Sequence, residues 1–204
     1  IGTSTFGAGR SVVSVAAGRY FTGVVLDNGT VWTTGTGGNG QTARGNQTTF
    51  GQVSNISNAT NISAGYNHML VLTSEGKVKT WGLNAGNSAL GYETGVLGIG
   101  ADSSNTANIT SVQTSASKPG LDSSGHINIT AASGTYPGNG DYVGRTVKQI
   151  ATGSYHNILL LDNGSVITWG SNNKGQLGNN NTGNTYSIGH TSTYEFVNPV
   201  TSDV

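Results

Sequence analysis

Apolar and polar positions along the chain repeat one order three times. Each copy opens with a β-branched segment: Val12-Val13-Ser14-Val15, Asn61-Ile62 and Val147-Lys148-Gln149-Ile150. A step of small residues follows, Ala16-Ala17-Gly18, Ser63-Ala64-Gly65 and Ala151-Thr152-Gly153. Then comes the most apolar run, Val24-Val25-Leu26, Met69-Leu70-Val71-Leu72 and Ile158-Leu159-Leu160-Leu161. A strand apolar at consecutive positions is buried on both faces, and we expect this one to be the inner strand of its unit. The next strand alternates, as in Lys77-Val78-Lys79-Thr80-Trp81, and closes on Gly35, Gly82 or Gly170. Offsets of 47 and 135 residues relate the copies without a gap from Gly18 to Gly35.

Between these two strands stand Asp27-Asn28-Gly29, Ser74-Glu75-Gly76 and Asp162-Asn163-Gly164. Asn-Gly at such a place predicts a type I′ hairpin, with φ > 0 at both central residues. A Gly-Gln corner closes the unit at Gly40-Gln41 and Gly175-Gln176-Leu177-Gly178, with a looser Ser88-Ala89-Leu90-Gly91 in the middle copy. A strand-and-turn unit of this length reads as a β-propeller blade, stacked face to face with its neighbours. From Gly91 to Val147 the pattern breaks. Leu121-Asp122-Ser123-Ser124-Gly125-His126-Ile127 looks like a hairpin, but Ser115-Ala116-Ser117-Lys118-Pro119-Gly120 before it cannot make a buried strand. We read residues 92–146 as a long insertion, with a degenerate fourth blade as the alternative.

Composition narrows the function. Charged residues are 9% of the chain and the net charge is zero, against about 25% charged in typical globular proteins. No basic stripe is present to neutralise phosphates, which argues against nucleic-acid binding. No apolar run reaches the roughly 18 residues of a membrane span, so no membrane insertion is expected. Cysteine is absent, which removes disulfides and thiolate chemistry. Nine Asn-x-Ser/Thr sequons, from Asn28 to Asn180, read as the abundance of these residue types in turns, with glycosylation on a eukaryotic secretory route as the other reading.

The Ala-Gly-x-x-His step, the aliphatic strand, the Trp-Gly ending and the Gly-Gln-Leu-Gly corner resemble the regulator of chromosome condensation repeat family. The copy from Ile150 to Gly178 matches almost throughout, and the one from Ala64 to Gly82 closely. The first copy departs: Phe21 stands at the His position, Thr34 at the Trp position, and Trp32 comes two residues early. The resemblance implies a propeller of about seven four-stranded blades. We therefore expect an all-β fold: a partial β-propeller of about three four-stranded blades over residues 1–204. The blades fall at about 11–57, 58–91 and 147–204. Three blades leave apolar faces open, so partners or self-association would cover the open edges. The start at Ile1 reads as processed or trimmed, and Phe196-Val197-Asn198-Pro199-Val200 looks like the lead-in to a further blade, which favours a piece of a longer protein.

Gly18, Gly65, His68, Trp81, Gly153, His156 and Trp169 recur at fixed places and read as structural residues of the repeat. Trp81 and Trp169 are expected between stacked sheets, and Trp32 on the opposite strand face. His68 and His156 are expected to bond backbone, since a metal site needs three or four converging ligands. His126 and His190 carry no spacing signal. Asp27 and Asp162 belong to the turns, and Gly138-Asn139-Gly140-Asp141 reads as a plain loop. Tyr20, Tyr66 and Tyr155 flank the apolar strands, where loops gather near the axis, and are candidates for a binding rim. No catalytic, cofactor or metal motif appears.

The composition favours a non-enzymatic structural or binding module on an extracellular or virion surface, such as a phage tail or fibre, with a glycan or host receptor as partner. The alternative is a cytoplasmic propeller that binds a small GTPase as exchange factor or scaffold.

Overall fold

The computed structural model describes residues 3–83, 96–97, 145–164 and 166–178. The described chain is all-β: three antiparallel sheets, preceded by a 3-10 turn at Thr3–Phe6. The first sheet has four strands in sequence order, β1 (Val12–Ala17), β2 (Phe21–Leu26), β3 (Val31–Gly35) and β4 (Gln47–Gln52). The second has three, β5 (Ala59–Ala64), β6 (His68–Thr73) and β7 (Val78–Gly82). The third also has three, β8 (Val147–Thr152), β9 (His156–Leu161) and β10 (Val166–Gly170). Each sheet is a meander, and each is one blade. The corner Ser88–Gly91, the segment Leu121–Ile127, the lead-in Phe196–Val200 and any fourth strand of the later blades fall outside the described residues.

The β2–β3 turn is not type I′. Gly29 N–H donates to Leu26 O at 2.9 Å, and Leu26 N–H donates to Thr30 O at 2.9 Å. Gly29 has φ of 76°, while Asp27 and Asn28 keep negative φ. This is the type I turn followed by a left-handed glycine bulge. Gly76 and Gly164 repeat it, donating to Thr73 O and Leu161 O. Only the glycine must reach positive φ, so Glu75 serves where the other copies have Asn28 and Asn163.

The blades meet at two seams. Ser14 Oγ donates to Asn61 Oδ1 at 2.7 Å, and Ser63 Oγ meets Thr152 Oγ1 at 2.9 Å. The first strands β1, β5 and β8 therefore converge and lie nearest the axis. The apolar strands β2, β6 and β9 are second in their sheets, not innermost as the pattern suggested. Strand β6 is buried at every residue because a blade covers each face. Its Met69 and Val71 pack with Phe21, Val25 and Trp81. Its Leu70 and Leu72 pack with Leu159, Leu161 and Trp169. Burying each such aliphatic side chain contributes about 1.5–3 kcal/mol. Strand β9 has one covered face: Leu159 and Leu161 are buried, and Ile158 is 39% exposed. At the other end Val15 is 68% exposed, while its counterparts Ile62 and Ile150 are 4% and 6% exposed.

The tryptophans close the seams. Trp81 Nε1–H donates to Gln41 O and Trp169 Nε1–H to Val96 O, both at 2.9 Å. The hydroxyls of Thr80 and Thr168 donate to Leu97 O at 2.8 Å and Leu177 O at 3.0 Å, as Thr33 does to Thr42 O. Val96 and Leu97 thus fill in the second blade the corner that Gln41-Thr42 and Gln176-Leu177 fill in the others. Both lie inside the stretch 92–146 read as an insertion, yet both are buried core. Trp32 also corrects an expectation. Strand residues two apart point the same way, so Trp32 shares the face of Thr34 rather than the opposite one. No preceding blade covers it among the described residues. Instead Phe6 stands edge-on to Trp32, with centroids 5.7 Å apart, and to Phe50 at 5.4 Å.

Candidate binding rim

One end of the stack is built from the turns between the first and second strands. These are Gly18-Arg19-Tyr20, Gly65-Tyr66-Asn67 and Gly153-Ser154-Tyr155. Each turn is closed by its glycine N–H, which donates to the carbonyl of Phe21, His68 or His156 at 2.8–2.9 Å. The aromatic ring of that same Phe21, His68 or His156 lies over the glycine. A Cβ on Gly65 or Gly153 would collide with the imidazole of His68 or His156, and one on Gly18 with the ring of Phe21. The shared requirement is a flat ring over a bare backbone, so Phe21 replaces histidine without changing the turn.

The turns are held in a row. Tyr20 O, Asn67 O and Tyr155 O accept from Thr36, Leu83 and Ser171 N–H at 2.7–2.8 Å, which ties each turn to its own third strand. Between blades, Arg19 N–H donates to Tyr66 O at 3.3 Å, and Tyr66 N–H donates to Ser154 O at 2.9 Å. The same repeat position therefore bonds to itself from blade to blade.

This backbone row brings the three candidate tyrosines together. The guanidinium carbon of Arg19 lies 4.5 Å from the Tyr20 ring centroid and 4.6 Å from that of Tyr66. The rings of Tyr66 and Tyr155 are 5.0 Å apart and tilted by 38°. The side chains form one sequence of contacts, Tyr20, Arg19, Tyr66, Tyr155. Arg19 and Tyr20 are exposed, and Tyr66 and Tyr155 are half-buried. Each exposed cation–π contact is worth about 0.5–1 kcal/mol. Sequence reading missed Arg19. It occupies the position of Tyr66 and Ser154, while Tyr20 aligns with Asn67 and Tyr155. The signal was there in a position that changes chemistry in every copy while its glycine stays.

Beneath the rim lie the two histidines. His68 Nε2 lies 2.8 Å from Asn157 Oδ1, and Asn157 Nδ2–H donates to Val96 O at 2.7 Å. Since the amide nitrogen of Asn157 is engaged as a donor, its oxygen accepts and His68 Nε2 carries the proton. The partner is a side chain of the next blade, not the expected backbone. Burial pushes the His68 pKa down to about 4, with the nearby His156 adding to the effect and the Asn157 bond opposing it. Burial also lowers the pKa of half-buried His156. Among the described residues no group of three His, Cys, Asp or Glu could hold a metal ion. His126, His190 and Gly138–Asp141 lie outside them. Asp27 and Asp162 serve the fold by accepting Ser11 N–H at 3.2 Å and Thr146 N–H at 3.3 Å, which pins each hairpin to its blade entry.

Known proteins carry the same repeat. The Regulator of chromosome condensation (RCC1) repeat matches residues 12–41, 59–87 and 147–176, and a second model of that repeat matches 163–195. Together they take in more than half of the chain. The chain is similar to the Ras guanine nucleotide exchange factor C of Dictyostelium discoideum, 61% identical over 33 residues, or 16% of this chain and 2% of that protein. The crystal structure of human WBSCR16 superposes with a TM-score of 0.60 at 21% identity, over 84% of this chain and 37% of its own. Prp20p from Saccharomyces cerevisiae, whose structure was described with its binding to Gsp1p and histones, gives a TM-score of 0.53 at 18% identity, over 80% of this chain and 32% of its own. At these identities the structural likeness is one of fold. The chain spans a small fraction of the curated relative and about a third of each solved chain. No helix among the described residues is long and apolar enough to cross a membrane.

Proposed function

Since the chain belongs to the regulator of chromosome condensation repeat family, we propose that it docks protein partners without chemistry of its own, and that a small GTPase is the first partner class to test. The observation that carries this reading is the row of Tyr20, Arg19, Tyr66 and Tyr155. Aromatic residues and arginine are the side chains that dominate protein interfaces. Here they stand together, braced by inter-blade backbone bonds, at one end of the blade stack. The named relatives add a direction. One is a guanine nucleotide exchange factor, and another was described by its binding to proteins. With this reading goes a cytoplasmic location. The reading as a surface or virion appendage rests on composition alone, and none of these relatives carries a name of that kind.

The test is a panel of small GTPases loaded with fluorescent nucleotide. The full chain is added, and both binding and nucleotide release are followed. Saturable binding to a member of the panel, weakened by Tyr66→Ala, is the expected result. No binding across the panel, together with antibody labelling of intact cell or particle surfaces, would return the appendage reading to first place.

A further inference from the structure

Building on the docking reading, we infer that Arg19 is the anion-binding residue of the rim, and that it takes a single carboxylate from an acidic side chain of a protein partner. Three observations carry this. The first is the way Arg19 is held. Its guanidinium carbon lies 4.5 Å from the Tyr20 ring centroid and 4.6 Å from that of Tyr66, so two aromatic rings hold the cation in place. A guanidinium keeps its N–H donors in the plane, in a fork that matches the two oxygens of a carboxylate. Contact with two rings restricts the side chain before any ligand arrives, which reduces the ordering cost of binding.

The second is that Arg19 alone among the described arginines has no acceptor. Arg10 meets Asp27 at 3.4 Å, Arg145 meets Asp162 at 3.9 Å, and Arg44 donates to Thr33 O at 3.3 Å. The Arg19 side chain makes only its two ring contacts among the described residues.

The third is where the acids are. The described carboxylates are Asp27, Glu75 and Asp162, one in each blade. All three stand in the turns after the second strand, at the end of the blades away from the rim. Each has a cation beside it: Arg10, Lys77 at 3.3 Å, and Arg145. Among the described residues the rim therefore carries a positive charge with no acid beside it to compete with a ligand. One cation in a row of aromatic rings suits one carboxylate. A phosphate backbone is instead met by several cations, which favours an acidic protein segment over nucleic acid.

The test uses the full chain at low ionic strength and a fluorescent, end-blocked peptide of alternating glutamate and glycine, with its glutamine counterpart as the second probe. Anisotropy should show the glutamate peptide binding and the glutamine peptide weaker by about tenfold or more. Arg19→Gln should weaken the glutamate peptide to the same degree. Arg19→Lys should not restore it, because an ammonium offers neither fork nor stacking plane. Arg145→Gln, at the far end, should leave binding unchanged, and circular dichroism should show all variants folded. Equal binding of the two peptides, no binding of either, or unchanged binding in folded Arg19→Gln would each overturn the inference. So would displacement of the peptide by inorganic phosphate at lower concentration than by acetate. A GTPase that still binds Arg19→Gln sinks this inference alone, whereas glutamate binding without any GTPase partner sinks only the choice of partner class.

Discussion

The ring of His68 and the carboxamide of Asn157, 89 residues apart in the chain, meet at 2.8 Å across the seam between the second and third blades. Asn157 passes the bond on to Val96 O, which also accepts from Trp169 Nε1. Four side-chain and backbone groups inside an apolar seam are thereby satisfied, and such closed polar networks fix one alignment of the surfaces that contain them.

Asn157→Leu should break this alignment. It leaves the His68 N–H buried without an acceptor, at a cost of about 1–3 kcal/mol. The urea midpoint of the variant reports the loss. An unchanged midpoint would mean that the seam is held by its apolar residues alone.

Stability should depend on pH through the same ring. The folded pKa of His68 is lowered to about 4, against an ordinary value of 6.5. Between these values the unfolded chain binds more protons than the folded one, so stability rises with pH. It should be complete above pH 6.5, fall as the pH drops toward 4, and level off below. The span corresponds to roughly 3 kcal/mol at full effect. His68→Phe, the residue the first blade uses at Phe21, should remove most of the slope, and His156 would supply what remains in the same direction. Denaturation curves from pH 4 to 7 test this, and an identical slope in the variant would rule out His68 as its source.

Trp169→Ala should cost about 3–5 kcal/mol, because the ring is buried in a seam. Trp32→Ala should cost less. Its ring is covered by Phe6 rather than by a blade, and it bonds the neighbouring Thr30 hydroxyl at 3.1 Å. Equal losses in guanidinium unfolding would refute the ranking.

Gly65→Ala should cost about 1–3 kcal/mol by driving a methyl group into the His68 ring. Gly38→Ala meets open space and has no positive φ, so it should be neutral or slightly stabilising. Thermal unfolding of the pair separates a steric need for glycine from a conformational one. A Gly65→Ala melting temperature equal to that of the parent would remove the steric account.

The strands were legible because period-two alternation and a constant offset survive in all three copies, and the seam tryptophans because their spacing to the closing glycine is fixed. Three things were hidden for separate physical reasons. Asn-Gly serves both a type I′ turn and a type I turn with a glycine bulge, and only Glu75 in the middle copy pointed to the second. The corner at Val96-Leu97 was displaced by extra residues beyond the constant offset, so alignment settled on Ser88–Gly91 instead. The rim escaped because Arg19 and Tyr66 become neighbours only when blades stack. The tyrosines could be named one by one, but not their order or the cation between them.

The inter-blade bonds also give the stack a direction. At the rim each blade donates to the next, Arg19 to Tyr66 and Tyr66 to Ser154, whereas at the hairpins the donation runs backward, Ala59 to Gly29 and Val147 to Gly76. A blade accordingly has a front and a back that differ as plug and socket do. The first blade carries the socket half at Arg19 O, and the third carries the plug half at Ser154 N–H. Such unlike, complementary faces make a head-to-tail joint, which closes into a ring or runs on as a row according to the angle at each seam. The bonds that order blades along this chain are of a kind that would also order whole chains placed end to end, at the added entropic cost of bringing two molecules together.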